Sequence, residues 1–194
     1  MFTVARANQR EKEKLFTFAQ QVSLSSPLLL TLTDGPVGTL PKGFVHDFSR
    51  TELGRGRDVF VAACKAFEKW EQFDLGWVRV ANGVPIVVPG ELVAVEVHTA
   101  LLWSINFSRI VETVDTPTRF GFIYTTTALH VEEGQERFVL EFDAQSESVH
   151  YLIEAVSRPR HMLARVAYPF SRAMQHRFAR DSHARMQRAP GVAV

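Results

Sequence analysis

The sequence of 194 residues has a single cysteine, Cys64, and few features that would indicate secretion or a membrane protein. One cysteine excludes an internal disulfide and fits a reducing compartment. The N-terminal stretch MFTVARANQREKEK lacks the apolar core of a signal peptide. The apolar run PLLLTL at residues 27–32 is far too short to span a bilayer. We therefore expect a cytoplasmic protein without membrane insertion.

Motifs for metals, cofactors and nucleophilic catalysis are also missing. The sequence has no H-x-x-x-H pair, no C-x-x-C pair and no G-x-S-x-G elbow. His176 and His183 are seven residues apart, or roughly 10 Å along a helix, which is too far to share one ion. GRGRDV at residues 54–59 resembles a dinucleotide-binding turn, but Val59 replaces its third glycine. We expect neither a metal nor a cofactor.

Charge is unevenly distributed along the chain. The net charge is only +1, yet residues 158–194 carry eight arginines against Asp181 alone. This pattern fits an anionic partner, or a basic helix that lies on an acidic body. Aromatic side chains that stack on bases must be exposed, whereas Phe170 and Phe178 belong to an apolar stripe. The helix interpretation is therefore favoured, and no nucleic-acid binding is expected.

Two helices are predicted in the first part of the chain. Asn8 and Glu11 have the spacing of a capping box ahead of an apolar stripe. Phe60, Ala63 and Phe67 recur at helical spacing after a strand-like segment. With 46% hydrophobic and 22% charged residues, the composition is that of a globular protein. We expect one domain, with an N-terminal helix and connector at 1–42 and a sheet with one inserted helix at 43–157.

From Glu91 to Ser157 the hydrophobic period changes to two, and short reversals separate the segments. This pattern predicts antiparallel strands with one covered face. The cover is a predicted C-terminal helix at 158–188, kinked or restarted near Pro169. Its apolar stripe consists of Met162, Val166, Phe170, Met174 and Phe178. The fold class is α+β, an antiparallel sheet with a long terminal helix.

The aromatic side chains on these strands, with Trp77 and Trp103, exceed what a thin sheet–helix core needs. They form either a filled core or the lining of a cavity in which a few polar groups fix a ligand. Cys64 lies on or near the buried stripe of the second helix, so it is expected to be a small core residue rather than a nucleophile.

Three strings of the sequence are similar to a known family. They are RFGFIYTTTALHVEEGQERFVLEFDAQ at 119–145, LGRGRDVFVAACKAFEKW at 53–70 and GTLPKGF at 38–44. They resemble the plant and bacterial domain-of-unknown-function family 1990, and the likeness covers most of the chain. The resemblance implies a START-like helix-grip fold, in which an antiparallel sheet wraps a long C-terminal helix around an apolar cavity. It implies no reaction.

The chain departs from the family pattern at three positions. Thr125 and Leu129 replace glycines, and Gln135 replaces an acidic residue. The bulkier side chains at 125 and 129 are expected to narrow a pocket beside that strand. The residues expected to line the cavity are Trp103, Asn106, Arg109, Phe120, Phe122, Tyr124, His130, Phe138, Tyr151, Phe170 and Met174. Among them, Asn106 and Arg109 are the expected partners of an anionic or carbonyl head group.

Three functions are compatible with these observations. The first is a non-catalytic binding protein for an apolar or lipid-like small molecule. The second is an enzyme in which His130 acts as general acid or base, positioned by Glu136 or Tyr124. The third is an interaction protein whose basic C-terminal helix docks an acidic partner, RNA included. The sequence indicates no oligomeric state.

Overall fold

The computed structural model describes residues 2–3, 5–32, 39–99, 102–160, 168–189 and 191–192. Its helices are α1 (Gln9–Ala19), α2 (Arg57–Glu68), a short 3-10 helix (Glu71–Phe73) and α3 (Tyr168–Gln187). Its strands are β1 (Phe2–Thr3), β2 (Val45–Arg55), β3 (Val78–Val80), β4 (Leu92–Thr99), β5 (Leu102–Asp115), β6 (Arg119–Thr126), β7 (Glu132–Phe142) and β8 (Ser148–Pro159). The order confirms the predicted α+β class.

All the strands belong to one antiparallel sheet. The order is β2-β8-β7-β6-β5-β4-β3, and β1 pairs with the beginning of β5. Each strand from β4 to β8 pairs with its neighbour in sequence, as the short reversals predicted. The sheet is curled into a half-barrel, so it has a concave and a convex face.

The concave face holds the main core. Phe60, Ala63 and Phe67 of α2 pack there against aromatic residues of the central strands, as their helical spacing predicted. Phe67 lies edge-on to Tyr151, with ring centroids 5.8 Å apart. Because α2 occupies one end of the concave face, α3 covers the other end, next to the 3-10 helix and β2.

The convex face is also covered in part, so the prediction of a single covered face was wrong. The capping box of α1 is present, since Asn8 Oδ1 accepts from Glu11 N at 3.0 Å and Glu11 Oε2 accepts from Asn8 N at 2.8 Å. Behind it, Ala19 packs on Leu92 and Phe107. The N-terminal segment thus protects a second hydrophobic cluster from water.

The C-terminal helix begins later than predicted. Arg158 and Pro159 belong to β8 and not to the helix, because they continue the ladder with Glu133 and Glu132 of β7. In the described residues α3 begins at Tyr168, which places Pro169 in its first turn, where a missing N–H is tolerated. Met162 and Val166 of the predicted stripe lie outside the described residues.

Among the described residues, no helix is long and apolar enough to cross a bilayer. The cytoplasmic location stays a prediction.

Candidate functional site

A cavity of about 790 Å³ lies between the concave face of the sheet and α3. Its volume is within the usual range for small-molecule pockets, about 300–1,000 Å³. Most of the lining is apolar, with Phe73, Trp77, Val78, Val95, Val97, Ile153, Phe170, Met174 and Phe178. The polar lining groups include Asp47, Asn106, Tyr124, His130, Glu132, Glu136 and Gln175.

Strand register places several polar groups in one row across the sheet. Tyr124 of β6 faces Glu136 of β7, Glu136 faces Ala155 of β8, and Ala155 faces Asp47 of β2. Adjacent strands are about 4.8 Å apart, so Glu136 and Asp47 are separated by roughly 10 Å of sheet. The small side chain of Ala155 leaves open space between the two carboxyl groups.

Tyr124 and Glu136 form a hydrogen-bonded pair inside the cavity. The Tyr124 hydroxyl donates to Glu136 Oε2 at 2.9 Å. Glu136 lies deep in the molecule, although it borders the cavity and keeps some accessible surface. Burial raises the pKa of the Glu136 carboxyl to about 7, and the nearby acids act in the same direction. Burial also raises the pKa of Tyr124, so its hydroxyl stays a donor.

Glu132 is the first residue of β7, and His130 lies on the turn that leads into this strand. Gln175 Nε2 donates to Glu132 Oε2 at 2.8 Å and to Ser157 Oγ at 3.1 Å. Burial raises the pKa of Glu132. His130 Nδ1 lies 3.0 Å from the Glu132 backbone nitrogen, which donates to it. Burial lowers the pKa of His130 to about 4, so its imidazole is neutral near pH 7.

Asp47 connects the edge strand β2 to α3. Both of its oxygens accept from the Arg172 guanidinium, in a bidentate pair, and His176 Nε2 lies 3.6 Å from Oδ1. The Arg172 hydrogen bond holds the pKa of Asp47 below its usual range. The pair therefore fixes the first turns of α3 above the cavity.

Asn106 is a buried amide beside the cavity. Its Nδ2 donates to Ser104 Oγ at 3.2 Å, while its Oδ1 has no hydrogen-bond partner in the described part of the chain. An unsatisfied buried acceptor costs free energy. Exchanging the amide oxygen and nitrogen would leave a donor without a partner instead. In either orientation, a polar ligand atom could complete the hydrogen bonding of Asn106.

The structure separates the residues expected to line the cavity into three groups. Those that border it are Asn106, Tyr124, His130, Phe170 and Met174. Those packed in the core without bordering the cavity are Phe120, Phe122, Phe138 and Tyr151. Trp103 and Arg109 lie on the convex face instead. Their places in β5 alternate with those of Ser104 and Asn106, which face the cavity.

The two convex-face residues have local partners. Trp103 stacks on His98, with ring centroids 4.1 Å apart, and the Arg6 guanidinium lies over its ring. Arg109 donates to the carbonyls of Gly90 and Gln20 at 2.8 and 3.1 Å. Arg109 therefore joins α1 and the β3–β4 connection to the sheet and is not available to a ligand head group in the cavity.

The departures from the family pattern lie away from the cavity as well. Thr125 is fully buried and donates to the Gly134 carbonyl at 3.3 Å, and Leu129 packs in the cluster beneath α1. Gln135 Oε1 accepts from the backbone nitrogens of Leu29 and Leu30. The expectation that Thr125 and Leu129 narrow the pocket was wrong, because these residues face the convex side.

Several lining residues were not found from the sequence. Asp47 lies in the edge strand β2, and the next residues on the same face are Ser49 and Thr51. Because these residues are polar, the sequence showed no apolar alternation on the face that borders the cavity. Glu132 and Gln175 come together only through the packing of α3 on β7. Within the described residues, no group of three His, Cys, Asp or Glu is arranged to hold a metal.

Comparison with known proteins agrees with this architecture. The family described as Domain of unknown function (DUF1990) matches residues 30–185. The chain belongs to the DUF1990 family. It is 33% identical over 160 residues to a UPF0548 protein of Dictyostelium discoideum, covering 76% of this chain and 74% of the relative. It is 38% identical over 153 residues to a UPF0548 protein of Deinococcus radiodurans, covering 73% and 76%.

Solved structures place this DUF1990 protein in a known fold. The Zhui aromatase/cyclase from a Streptomyces species, strain R1128, aligns with a TM-score of 0.50 at 12% identity. The alignment covers 74% of this chain and 92% of that one. The likeness confirms the expected helix-grip fold, and at this identity it shows the fold alone.

Proposed function

We propose that this protein binds an apolar small molecule in the cavity between the concave face and α3. The observation that carries the proposal is the cavity of about 790 Å³, whose wall is mainly aromatic and aliphatic and includes the hydrogen-bonded Tyr124–Glu136 pair. Small-molecule sites commonly combine an apolar wall with a few placed polar groups.

A filled core would not leave this space. Phe122 and Tyr151 pack against Phe67 of α2 and do not border the cavity, whereas Phe73 and Phe178 lie with ring centroids 5.2 Å apart and do border it. The aromatic residues of the sequence are thus divided between the packed core beside α2 and the wall of the cavity. This division supports binding of a small molecule in the cavity.

The proposal is tested by native mass spectrometry of freshly purified protein, followed by organic extraction and mass analysis of the released material. We expect a reproducible apolar compound at near one-to-one occupancy, or one-to-one uptake of an added compound. Protein that arrives empty and takes up no alkyl or aromatic compound would contradict the proposal.

An enzyme is the second candidate, and one observation favours it. Glu136 borders the cavity with a pKa of about 7, close to the value that suits a general acid or base. In this version Glu136 takes the acid–base role that the sequence suggested for His130. Conversion of a bound compound by the native protein and its loss in Glu136→Gln, with binding retained, would support catalysis.

The third function, docking of an acidic partner through the basic C-terminal helix, has little support in the contacts of that helix. Arg172 pairs with Asp47, and Arg177 and Arg180 pair with Asp181. Arg185 pairs with Glu71 at 2.9 Å. Because these arginines contact acids of the same chain, the interpretation of a basic helix on an acidic body is favoured. The absence of nucleic-acid binding stays a prediction.

A further inference from the structure

The polar end of the cavity carries more acidic than basic groups. Glu136, Glu132 and Asp47 all border it, and Arg172 beside them is already engaged by Asp47. No cationic side chain of the described residues forms an ion pair with Glu136, and the charged groups that act most strongly on it are Glu132 and Asp47. The polar end thus has more carboxyl groups than cations, and a cation bound there would favour the ionised form of Glu136 and Glu132.

The other basic groups on the cavity wall do not offset this excess. Arg180 is largely exposed and pairs with Asp181 at 3.2 Å. Burial lowers the pKa of both His130 and His183 to about 4, which leaves them neutral near pH 7. His176 is two-thirds exposed and lies beside Asp47.

The two glutamates also have unused hydrogen-bond acceptors. A carboxylate offers about four acceptor sites. Within the described part of the chain, Tyr124 is the only donor to Glu136, and Gln175 is the only donor to the side chain of Glu132. Asn106 adds a buried amide that lacks one partner. The site therefore calls for a ligand group that donates several hydrogen bonds.

The aromatic wall favours the same kind of group. Phe73, Trp77 and Phe178 border the cavity together with Tyr124. Aromatic faces carry partial negative charge and attract cations within about 6 Å of the ring centre. Aromatic rings near carboxylates attract an ammonium group and repel a carboxylate.

We propose that the polar group of the ligand is a basic amine, whose ammonium lies between Glu136 and Glu132 while its apolar body occupies the aromatic part of the cavity. The inference rests on the proposed function, since it names the class of molecule that the cavity takes. It also replaces the anionic or carbonyl head group expected from the sequence with a cationic one. Arg109 lies on the convex face and Arg172 is held by Asp47.

The test is isothermal titration calorimetry of the full chain at pH 7 with decylamine, 1-decanol and decanoate, which share one alkyl chain and differ in the head group. Charge-assisted hydrogen bonds are expected to make decylamine bind about tenfold or more tighter than decanol, with decanoate weakest. Glu136→Gln and Glu132→Gln should each reduce the preference for the amine. Glu141→Gln, on the convex face of the same strand, should keep it.

The outcomes separate the inference from the proposed function. Equal binding of the three compounds, or tightest binding of decanoate, would overturn the amine and leave the apolar cavity in place. An amine preference that survives both cavity substitutions would also overturn it, because the ammonium would then lie elsewhere. Failure of all three compounds to bind would contradict the inference and the proposed function together. Far-UV circular dichroism shows whether each variant is folded.

Discussion

The Tyr124 hydroxyl donates to Glu136 Oε2 at 2.9 Å, from the neighbouring strand and across a directly opposed pair of residues. The pair lies at the boundary between the packed core and the cavity. Among the described residues, this carboxyl group has one neutral hydrogen-bond donor and no cation paired with it, and burial is the main cause of its raised pKa. This arrangement has a measurable consequence for stability.

Glu136→Gln should change how stability depends on pH. The pKa of Glu136 is about 7 in the folded protein and 4.5 in the unfolded chain, so the folded state holds the proton more tightly between these values. In the native protein, the stabilisation that comes from protonated Glu136 is complete below pH 4.5 and is lost as pH rises toward 7. Relative to the native protein, Glu136→Gln should gain about 1 to 3 kcal/mol of unfolding free energy over that interval.

Urea denaturation at pH 5 and pH 7 measures this difference. His130→Asn should change the pH dependence of the unfolding free energy in the opposite direction. The pKa of His130 is about 4 in the fold against 6.5 when unperturbed, so its neutral form stabilises the protein above pH 6.5 and this contribution is lost as pH falls toward 4. A Glu136→Gln profile parallel to that of the native protein would mean that Glu136 titrates normally.

Ala155→Phe should displace the bound molecule. Ala155 lies between Glu136 and Asp47 in the cross-strand row and borders the cavity, so a phenyl ring there would occupy the ligand's space. Native mass spectrometry should show loss of most of the bound compound. The control is Ala173→Phe, which adds the same ring to an exposed position of α3. Equal occupancy in both variants would place the ligand elsewhere.

The strands and helices could be predicted because periodicity reports burial. The alternation in β6 and β7 and the helical spacing of Phe60, Ala63 and Phe67 led directly to the correct elements. The face of β5 could not be assigned in the same way. The expected lining combined Trp103 and Arg109 of one face with Asn106 of the other, whereas only the face of Ser104 and Asn106 borders the cavity.

The boundary between core and cavity could not be predicted either. Phe122 and Tyr124 are two residues apart on one face of one strand, yet the first is packed against Trp70 and the second reaches the cavity. Which aromatic residue is covered depends on where α2 ends on the concave face. That position follows from three-dimensional packing and leaves no mark in the spacing of a single strand.

Cys64 should be nearly inert toward thiol reagents in the folded protein. Burial raises the pKa of its thiol to about 12, and Glu68 and Asp115 act in the same direction. Since the thiolate is the reactive form, labelling with a chromogenic disulfide at pH 8 should be slow until the protein is unfolded in urea. Cys64 is partly buried against the core, and rapid, complete labelling of the native protein would contradict the raised pKa of its thiol.

Glu96→Gln should destabilise the attachment of the N-terminal segment to the convex face. Glu96 is almost completely buried, and its carboxylate contacts Arg6 at 3.1 Å and Lys12 at 2.7 Å as well as Arg79. Removing its charge leaves Lys12, whose side chain is 15% exposed, without its anion, while Arg6 is 44% exposed and can hydrate. We expect a loss of about 2 kcal/mol in unfolding free energy, below the range for fully buried pairs.

Urea denaturation again provides the measurement, and Glu141→Gln is the control. Glu141 contacts Arg119 at 3.3 Å and Arg50 at 3.8 Å, but its side chain is 27% exposed, so its pairs should contribute less than about 1 kcal/mol. Hydrogen exchange should show faster opening of α1 in Glu96→Gln and unchanged exchange in α2, which packs on the concave face. Equal losses in the two variants would mean that burial of Glu96 adds nothing to its three ion pairs.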